Sequence, residues 1–230
     1  MSASPPRAQG LPRGGPLLSD RLKEAVRSFL APIVRLAQRL GITPNRVTVI
    51  GFGVVVIAAV LVAAGHLLIG AAVLVAGSLL DAVDGALARA TGGSTAFGSF
   101  LDSTLDRAAE AILYVAIVVY FVRGPGDPFW PVLLALGALS ASFMVSYTRA
   151  KAESIGVTAS VGLAPRTERL VLVVAGIGLA GLGLEIGLIS AVGIIAALAV
   201  TTTVQRIWHV WRQVDETPVA AGLSDPPQER

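Results

Sequence analysis

The sequence predicts an all-α membrane protein in which six transmembrane helices follow an interfacial amphipathic helix. Three observations support this prediction. Of the 230 residues, 54% are hydrophobic and only 14% are charged, and the mean hydropathy is +0.74, which is too apolar for an ordinary soluble domain. Apolar segments recur at the length that crosses about 30 Å of hydrocarbon. Basic residues are concentrated on one side of the resulting bundle.

The chain divides into four regions. Residues 1–16 are rich in Pro, Gly and Arg and lack the unbroken apolar core of a secretory signal, so we expect a disordered cytoplasmic lead. Residues 17–41 alternate basic and apolar side chains, which predicts an amphipathic helix on an anionic leaflet, bent near Pro32. An ordinary packing helix is the alternative. We expect residues 42–212 to form the transmembrane domain and residues 213–230 to form a disordered polar tail.

Turn residues divide the transmembrane domain into six apolar spans. Gly65 and His66 separate the first two spans, and a Gly and Pro cluster between Arg123 and Pro128 separates the third from the fourth. Roughly 20 helical residues are needed for each crossing. The predicted spans are 47–65, 68–88, 98–122, 130–148, 168–183 and 187–208.

The distribution of Lys and Arg orients these spans. Eight of the 18 basic residues precede the first span, whereas the side opposite to them receives Arg123. Because basic loops remain on the cytoplasmic side, both termini and the loops after spans two and four are predicted to be cytoplasmic. We therefore expect an integral protein of the cytoplasmic (inner) membrane.

Four aspartates lie within 26 residues of a chain that has only 15 acidic residues. Asp81 and Asp84 are three residues apart on span two, and Asp102 and Asp106 are four apart on span three, so each pair shares one helical face. Carboxylates at membrane depth are costly unless a cation or a polar cavity compensates them. Four in one volume require protonation or a divalent cation. Oxygen ligands without Cys or a nearby His indicate magnesium or manganese.

The complete motif from Asp81 to Asp106 reads D-x2-D-G-x2-A-R-x8-G-x3-D-x3-D. It resembles the signature of the CDP-alcohol phosphotransferases, which transfer a substituted phosphate group from a CDP-linked donor to an alcohol. The resemblance implies a catalytic domain at the cytoplasmic face with two Mg²⁺ ions, for which Mn²⁺ is an alternative, and with Asp106 as general base. It further implies that Asp81, Asp84 and Asp102 hold one ion. Asp81, Asp102 and Asp106 would reach the second.

The resemblance also implies a site for the cytidine nucleotide of the donor. Gly85 leaves no side chain where the nucleotide approaches the backbone, and Arg89 supplies a fixed cation for a phosphate oxygen. Close helix packing is the alternative reason for a glycine in this motif. The residues expected to contact CDP-diacylglycerol are Asn45, Arg46, Val47, Thr48, Gly85, Arg89 and Thr95.

Five basic residues near the cytoplasmic ends of the later spans indicate the kind of acceptor. Several cations that face one cavity are typical of a site for a dianionic phosphate, whereas a free polyol does not require them. Contacts with lipid headgroups are the alternative role. The five residues are Arg149, Lys151, Arg166, Arg169 and Arg206.

The segments around these cations narrow the resemblance. Segments 145–156, 166–170 and 204–206 are similar to bacterial phosphatidylinositol phosphate synthases. This similarity implies inositol 1-phosphate as acceptor, CMP and phosphatidylinositol phosphate as products, and a homodimer. Glycerol 3-phosphate is the alternative acceptor, because Arg149-Ala-Lys151 reverses the Lys and Arg that those synthases more often have, and the two side chains are not equivalent in geometry.

A cation or proton transporter is the alternative from another class, since intramembrane carboxylates also line ion pathways. Transport offers no evident role for the motif glycines, for Arg89 or for the five basic residues near the cytoplasmic ends of the later spans. This favours the enzyme. A relative that only binds lipid is disfavoured because all four aspartates are present. Membrane lipids and a phosphorylated polyol are the expected partners, and no nucleic acid is expected.

Overall fold

The computed structural model describes residues 31–93, 95–163 and 165–214. Within these ranges every regular element is a helix, which confirms the predicted all-α class. Residues 31–39 are helical and are labelled α1. The longer helices are α2 Pro44–Ala63, α3 Leu67–Ala90, α4 Ala96–Arg123, α5 Phe129–Ser154, α6 Arg166–Gly181 and α7 Glu185–Gln213.

Two of the predicted regions fall largely outside the described residues. The predicted lead 1–16 and residues 17–30 of the predicted amphipathic helix precede them, and the predicted tail 213–230 lies beyond them apart from its first two residues. The described residues therefore comprise α1 to α7 and the turns between them.

Each predicted apolar span coincides with one of the helices α2 to α7. Pro44 occupies the first turn of α2, where its missing N–H costs no helical hydrogen bond. Gly65 and Gly183 adopt φ angles of +86° and +89° in the turns that follow α2 and α6, a region that glycine reaches without strain. Helices α5 and α7 continue past their predicted spans to Ser154 and Gln213, so their basic residues lie on helix ends rather than in loops.

Four helices of the described chain, α2, α3, α5 and α7, are long and apolar enough to cross a membrane. Helix α4 has 28 residues, but it carries charged residues before its apolar C-terminal part, namely Asp102, Asp106, Arg107 and Glu110. Helix α6 has 16 residues, which is about 24 Å at the rise of an α-helix. Length and composition thus indicate a helical membrane protein.

The long helices share one apolar core. Ile117 of α4, Ile177 of α6 and Leu188 of α7 are fully buried within it. Glycine allows α6 and α7 to approach closely, because a Cβ built at Gly176 would lie 2.6 Å from the Cβ of Ala191. Small residues at such contacts let the backbones of membrane helices approach closely, so that the helices pack tightly.

Helix α1 is attached to the bundle by one narrow edge. Val34 and Ala37 are buried against a small cluster formed with Val47, Val83 and Leu87 of α2 and α3. The opposite face of α1 remains outside the protein, since Leu36 is 57% exposed. The described part of α1 therefore packs on the bundle and also presents an apolar residue to its surroundings.

Candidate active site

The four aspartates lie on two helices that share a neighbour. Asp81 and Asp84 lie in the C-terminal half of α3, and Asp102 and Asp106 lie in the first half of α4. Helix α2 packs against both, whereas α3 and α4 have little direct contact within the described residues. Arg166 nevertheless contacts both Asp81 of α3 and Asp106 of α4, and Asp84 and Asp102 line the same cavity. The two pairs therefore face a common volume between α3 and α4.

Asp84 is held by a buried hydrogen bond. Its Oδ2 accepts a hydrogen bond of 2.8 Å from the hydroxyl of Thr48 in α2, and Asp84 is only 6% exposed. The Thr48 hydroxyl is also 3.1 Å from the carbonyl oxygen of Pro44. A buried carboxylate requires a polar partner, so Thr48 both satisfies Asp84 and fixes its orientation.

Asp81 and Asp106 are bridged by a guanidinium. Arg166, at the first position of α6, donates a hydrogen bond of 3.0 Å from Nη1 to Oδ2 of Asp81. Its Nη2 is 2.7 Å from Oδ1 of Asp106. Arg107 lies 4.0 Å from the other oxygen of Asp106. The bridge ties α6 to α3 and α4, and it supplies one positive charge to two carboxylates.

A second ion pair lies beside this bridge. Arg169 is 2% exposed, and its Nη2 is 2.9 Å from Oε1 of Glu110. Its Nε donates a hydrogen bond of 3.0 Å to the same carboxylate. Both residues line a small cavity of about 40 Å³ together with Asp81 and Arg166. Buried charges of this kind persist only when paired, so Glu110 and Arg169 hold the start of α6 against α4.

A cavity of about 530 Å³ opens between α2, α3 and α4. Asp84 and Asp102 lie on its wall, and the N-terminal ends of both α2 and α4 border it. Unpaired N–H groups give a helix N-terminus a partial positive charge that favours phosphate. The cavity thus combines carboxylates with anion-binding helix ends, and its lining is completed by Thr43, Pro44, Asn45, Gly85, Ala88, Arg89, Thr91, Gly93, Thr95, Gly98 and Ser99.

Two glycines keep this cavity open. A Cβ built at Gly98 would lie 2.8 Å from Oδ1 of Asn45 and 3.0 Å from Oγ1 of Thr95. A Cβ at Gly85 would lie 3.5 Å from Nη1 of Arg89. A side chain at Gly98 would therefore displace the Asn45 side chain, whereas Gly85 leaves the wall shallow beside a guanidinium.

The structure divides the residues that were expected to contact the nucleotide. Four of them, Asn45, Gly85, Arg89 and Thr95, line the cavity. Thr95 also accepts a hydrogen bond of 2.9 Å from the backbone N–H of Gly98 and so caps α4. The remaining three have other surroundings.

These three are consecutive residues of the first turns of α2. Arg46 is exposed, Val47 is buried in the cluster that receives α1, and Thr48 is bonded to Asp84. Successive helical residues point about 100° apart, so three neighbours cannot all face one cavity.

The five basic residues also have different surroundings. Arg149 pairs with Glu153 at 2.9 Å on an exposed surface, and Lys151 is exposed. Arg206 is 7% exposed and donates hydrogen bonds to the backbone carbonyls of Val145 and Val161. Arg166 and Arg169 hold carboxylates as described above. Arg206 lies within electrostatic range of both Arg149 and Arg169, so positive charge from α5, α6 and α7 is concentrated in one region.

The carboxylates suit a divalent metal ion by their chemistry. Hard oxygen donors with no thiolate or imidazole among them are the ligands that Mg²⁺ and Mn²⁺ prefer. Across the described residues, no three Asp, Glu or His side chains are grouped tightly enough to hold an ion as they stand. Two of the oxygens are instead occupied by Arg166. The donor set therefore fits a metal ion, and a guanidinium now compensates part of its charge.

Some of the residues around the site were not identified from the sequence. Thr43 and Ser99 line the cavity. Thr43 precedes Pro44 and Ser99 follows Gly98, and their positions at two helix starts are the sequence signal that could have identified them. The partnership of Arg169 with Glu110 joins residues 59 positions apart. Sequence spacing carries no signal for such a contact.

The fold and the site together define a class of protein. They describe a helical membrane protein with two aspartates on each of two successive helices, beside a cavity that is bordered by two helix N-termini. A model of the CDP-alcohol phosphatidyltransferase family matches residues 41–210, which includes all six long helices apart from the end of α7. The chain belongs to the CDP-alcohol phosphatidyltransferase family.

Relatives within this family extend over most of the chain. The chain is 38% identical over 196 residues to the archaetidylinositol phosphate synthase of Methanothermobacter thermautotrophicus, a match that covers 85% of this chain and 95% of the relative. A crystal structure of the phosphatidylinositol phosphate synthase of Mycobacterium tuberculosis with CDP-DAG bound superposes with a TM-score of 0.76 at 32% identity, covering 83% and 98% of the two chains. Another structure of that synthase, in complex with manganese and citrate, has a TM-score of 0.74 at 34% identity, covering 79% and 88%.

Proposed function

We propose that the protein transfers the phosphatidyl group of CDP-diacylglycerol to inositol 1-phosphate, with release of CMP and formation of phosphatidylinositol phosphate. The observation that carries this proposal is the cavity between α2, α3 and α4, which is bordered by two helix N-termini and lined by Asp84 and Asp102, one aspartate of each pair. The names of the relatives support the acceptor, because the archaeal and the mycobacterial synthase differ in the lipid part and share inositol phosphate.

The donor is proposed to place its cytidine diphosphate in the cavity of about 530 Å³. Asn45, Gly85, Arg89 and Thr95 line that cavity. Arg89 supplies a cation for a phosphate oxygen, and the N-terminal ends of α2 and α4 supply N–H groups. Gly98 prevents a side chain from crowding Asn45. The diphosphate would then lie between the nucleotide contacts and the aspartates.

The four aspartates are proposed to hold two Mg²⁺ ions, or Mn²⁺ in their place. Asp81, Asp84, Asp102 and Asp106 carry the oxygen donors, and Thr48 orients Asp84 through its hydrogen bond of 2.8 Å. When bound, such ions neutralise the diphosphate and stabilise the charge that develops on the entering and leaving oxygens. The manganese in a structure of the mycobacterial synthase supports a divalent requirement.

Asp106 is proposed as the general base. The acceptor hydroxyl oxygen forms a bond to the phosphorus that carries the lipid, while the bond from that phosphorus to the CMP oxygen breaks. Asp106 takes the hydroxyl proton, since an alkyl hydroxyl is too weak an acid to react unaided. Asp106 lies one helical turn beyond Asp102 on α4, and its Oδ1 is 2.7 Å from Nη2 of Arg166.

The phosphate of the acceptor is proposed to bind in the region where α5, α6 and α7 concentrate positive charge. The five residues of this region are Arg149, Lys151, Arg166, Arg169 and Arg206. Arg169 and Arg206 are buried and engaged with Glu110 and with backbone carbonyls, so they shape the wall and add to its potential. The side chains of Arg149 and Lys151 are exposed and are proposed to meet the incoming dianion, for which Arg149 would leave its ion pair with Glu153.

In the membrane, we propose that α2 to α7 all cross the bilayer and that α1 lies on the cytoplasmic leaflet. The positive charge of the N-terminal region supports a cytoplasmic location for both termini and for the active site. A homodimer through membrane helices is proposed by similarity to the family.

Release of CMP with a panel of acceptors tests the proposed function. The full-length protein in detergent with Mg²⁺ and CDP-diacylglycerol is offered inositol 1-phosphate, glycerol 3-phosphate or free inositol. We expect turnover with inositol 1-phosphate and none with free inositol, which lacks the dianion. Faster turnover with glycerol 3-phosphate would assign the alternative acceptor. Ion flux into liposomes without any lipid donor, together with no CMP release, would replace the enzyme by a transporter.

A further inference from the structure

Arg166 occupies an unusual position for a residue expected to bind the acceptor. Its two terminal nitrogens hold Asp81 at 3.0 Å and Asp106 at 2.7 Å. It is the first residue of α6 and follows Pro165. The guanidinium therefore bridges two carboxylates from different helices.

The four aspartates differ in whether Arg166 contacts them. Asp84 and Asp102 line the open cavity, and Asp84 has the neutral hydroxyl of Thr48 as its partner. Asp81 and Asp106 share a full positive charge. A carboxylate oxygen that accepts a guanidinium hydrogen bond has lost much of its capacity to bind a cation, and the guanidinium repels any cation placed beside it.

We propose that Arg166 is a built-in counter-cation that competes with divalent metal ions for Asp81 and Asp106. The inference rests on the proposed function, which assigns metal ions to these aspartates. Arg166 stabilises the carboxylates while no ion is bound, and an ion that takes these oxygens must displace it. The competition makes metal binding weaker than the four carboxylates alone would give.

A different role for the same contact predicts the opposite result. If Arg166 only fastened α6 to α3 and α4, its removal would loosen the site and weaken metal binding. Competition predicts that removal strengthens binding, because the oxygens are freed and one positive charge is lost. The sign of the change therefore distinguishes a competitor from a structural tie.

Mn²⁺ titration of the full-length protein in detergent, without nucleotide, measures this sign. The free Mn²⁺ signal in electron paramagnetic resonance gives the dissociation constant for wild type, Arg166→Gln, Arg166→Lys and Arg123→Gln. Arg123→Gln is the matched control, since it removes one exposed positive charge from the C-terminal end of α4, about 25 Å along the helix from Asp106. Tryptophan fluorescence on heating checks that each variant is folded.

We expect Arg166→Gln to lower the Mn²⁺ dissociation constant by about tenfold or more, since hydrogen bonds between charged groups are worth more than neutral ones. The dissociation constant of Arg166→Lys should fall between those of Arg166→Gln and wild type, because an ammonium keeps the charge but cannot contact two carboxylates in the planar geometry of a guanidinium. Arg123→Gln should stay within about twofold of wild type, because an exposed charge at that distance is screened.

Three results are decisive beyond this expectation. Binding of Mn²⁺ by Arg166→Gln and not by wild type would support the competition in its strongest form. Equal or weaker binding by a folded Arg166→Gln, with wild type binding normally, would overturn the competition and leave the proposed function intact. Failure of both proteins to bind Mn²⁺ would overturn the competition together with the proposed metal site.

Discussion

Asp106 has two guanidinium groups as neighbours, with Arg166 at 2.7 Å and Arg107 at 4.0 Å. We predict that Asp106→Asn lowers the turnover number by about 10²-fold to 10⁴-fold, because the amide keeps the shape and cannot take a proton. CMP release at saturating substrate measures the effect, and CDP-diacylglycerol affinity should remain close to wild type. Asp127→Asn, in the turn before α5, serves as the control for loss of a carboxylate. Unimpaired turnover of Asp106→Asn would remove the proposed base.

Thr48 acts on the site through Asp84. We predict that Thr48→Val weakens Mn²⁺ binding by about tenfold, because the buried Asp84 carboxylate loses its 2.8 Å donor. Thr48→Ser keeps the hydroxyl and should bind Mn²⁺ nearly as well as wild type. Both constants are measured by the same titration in detergent. Equal affinities for the Val and Ser variants would show that the hydrogen bond does not position Asp84.

Single residues of the site were predictable to different extents. Asp81, Asp84, Asp102 and Asp106 stand out because charge is rare in an apolar chain. The partner of Asp84 did not stand out, since Thr48 and Asp84 are 36 positions apart. A motif reports residues that act together along one helix or across one turn, and it omits the neighbours that a third helix contributes.

At the scale of helices, α6 is positioned by its glycine contact with α7. A Cβ at Gly176 would meet the Cβ of Ala191 at 2.6 Å and the Cα of Leu188 at 3.2 Å. We predict that Gly176→Ala lowers the melting temperature, since the two helices must separate to admit the methyl group. Displacement of α6 would also move Arg166, so turnover should fall as well.

Gly178 supplies a matched control on the same helix. A Cβ there meets nothing within 4 Å, so Gly178→Ala should leave the melting temperature unchanged or raise it, in line with the helix preference of Ala over Gly of about 1 kcal/mol. Tryptophan fluorescence on heating in detergent measures both variants. Equal melting temperatures for the two variants would show that α6 and α7 tolerate a wider separation.

The helices themselves were predictable, and their arrangement was only partly so. Hydropathy and turn residues located α2 to α7, because apolar length and glycine turns are local properties of the chain. The extension of α5 and α7 into polar sequence was missed, since a helix needs no apolar residues once it has left the hydrocarbon. The separation of α3 from α4, which opens the cavity, follows from packing on α2 and has no local signature.

For the whole molecule, the number of crossings decides where the active site faces. Six crossings by α2 to α7 place the turn before α5 and the turn after α5 on opposite sides, with the latter on the side of both termini. Helices α2, α3, α5 and α7 alone meet the length and composition of a membrane span within the described residues. If α4 and α6 did not cross, these two turns would exchange sides. The two arrangements therefore differ in a measurable way.

Sided cysteine labelling distinguishes these arrangements, and the absence of native cysteine makes each introduced thiol unique. Pro125 and Ile155 are exposed residues at opposite ends of α5. With six crossings, an impermeant maleimide should label Pro125→Cys in right-side-out vesicles and Ile155→Cys in inverted vesicles, because basic loops stay cytoplasmic. The reverse pattern would show that α4 and α6 do not cross. Labelling of both variants from one side would exclude α5 as a span. It would also contradict the proposed acceptor site, which requires the C-terminal end of α5 to lie on the cytoplasmic side.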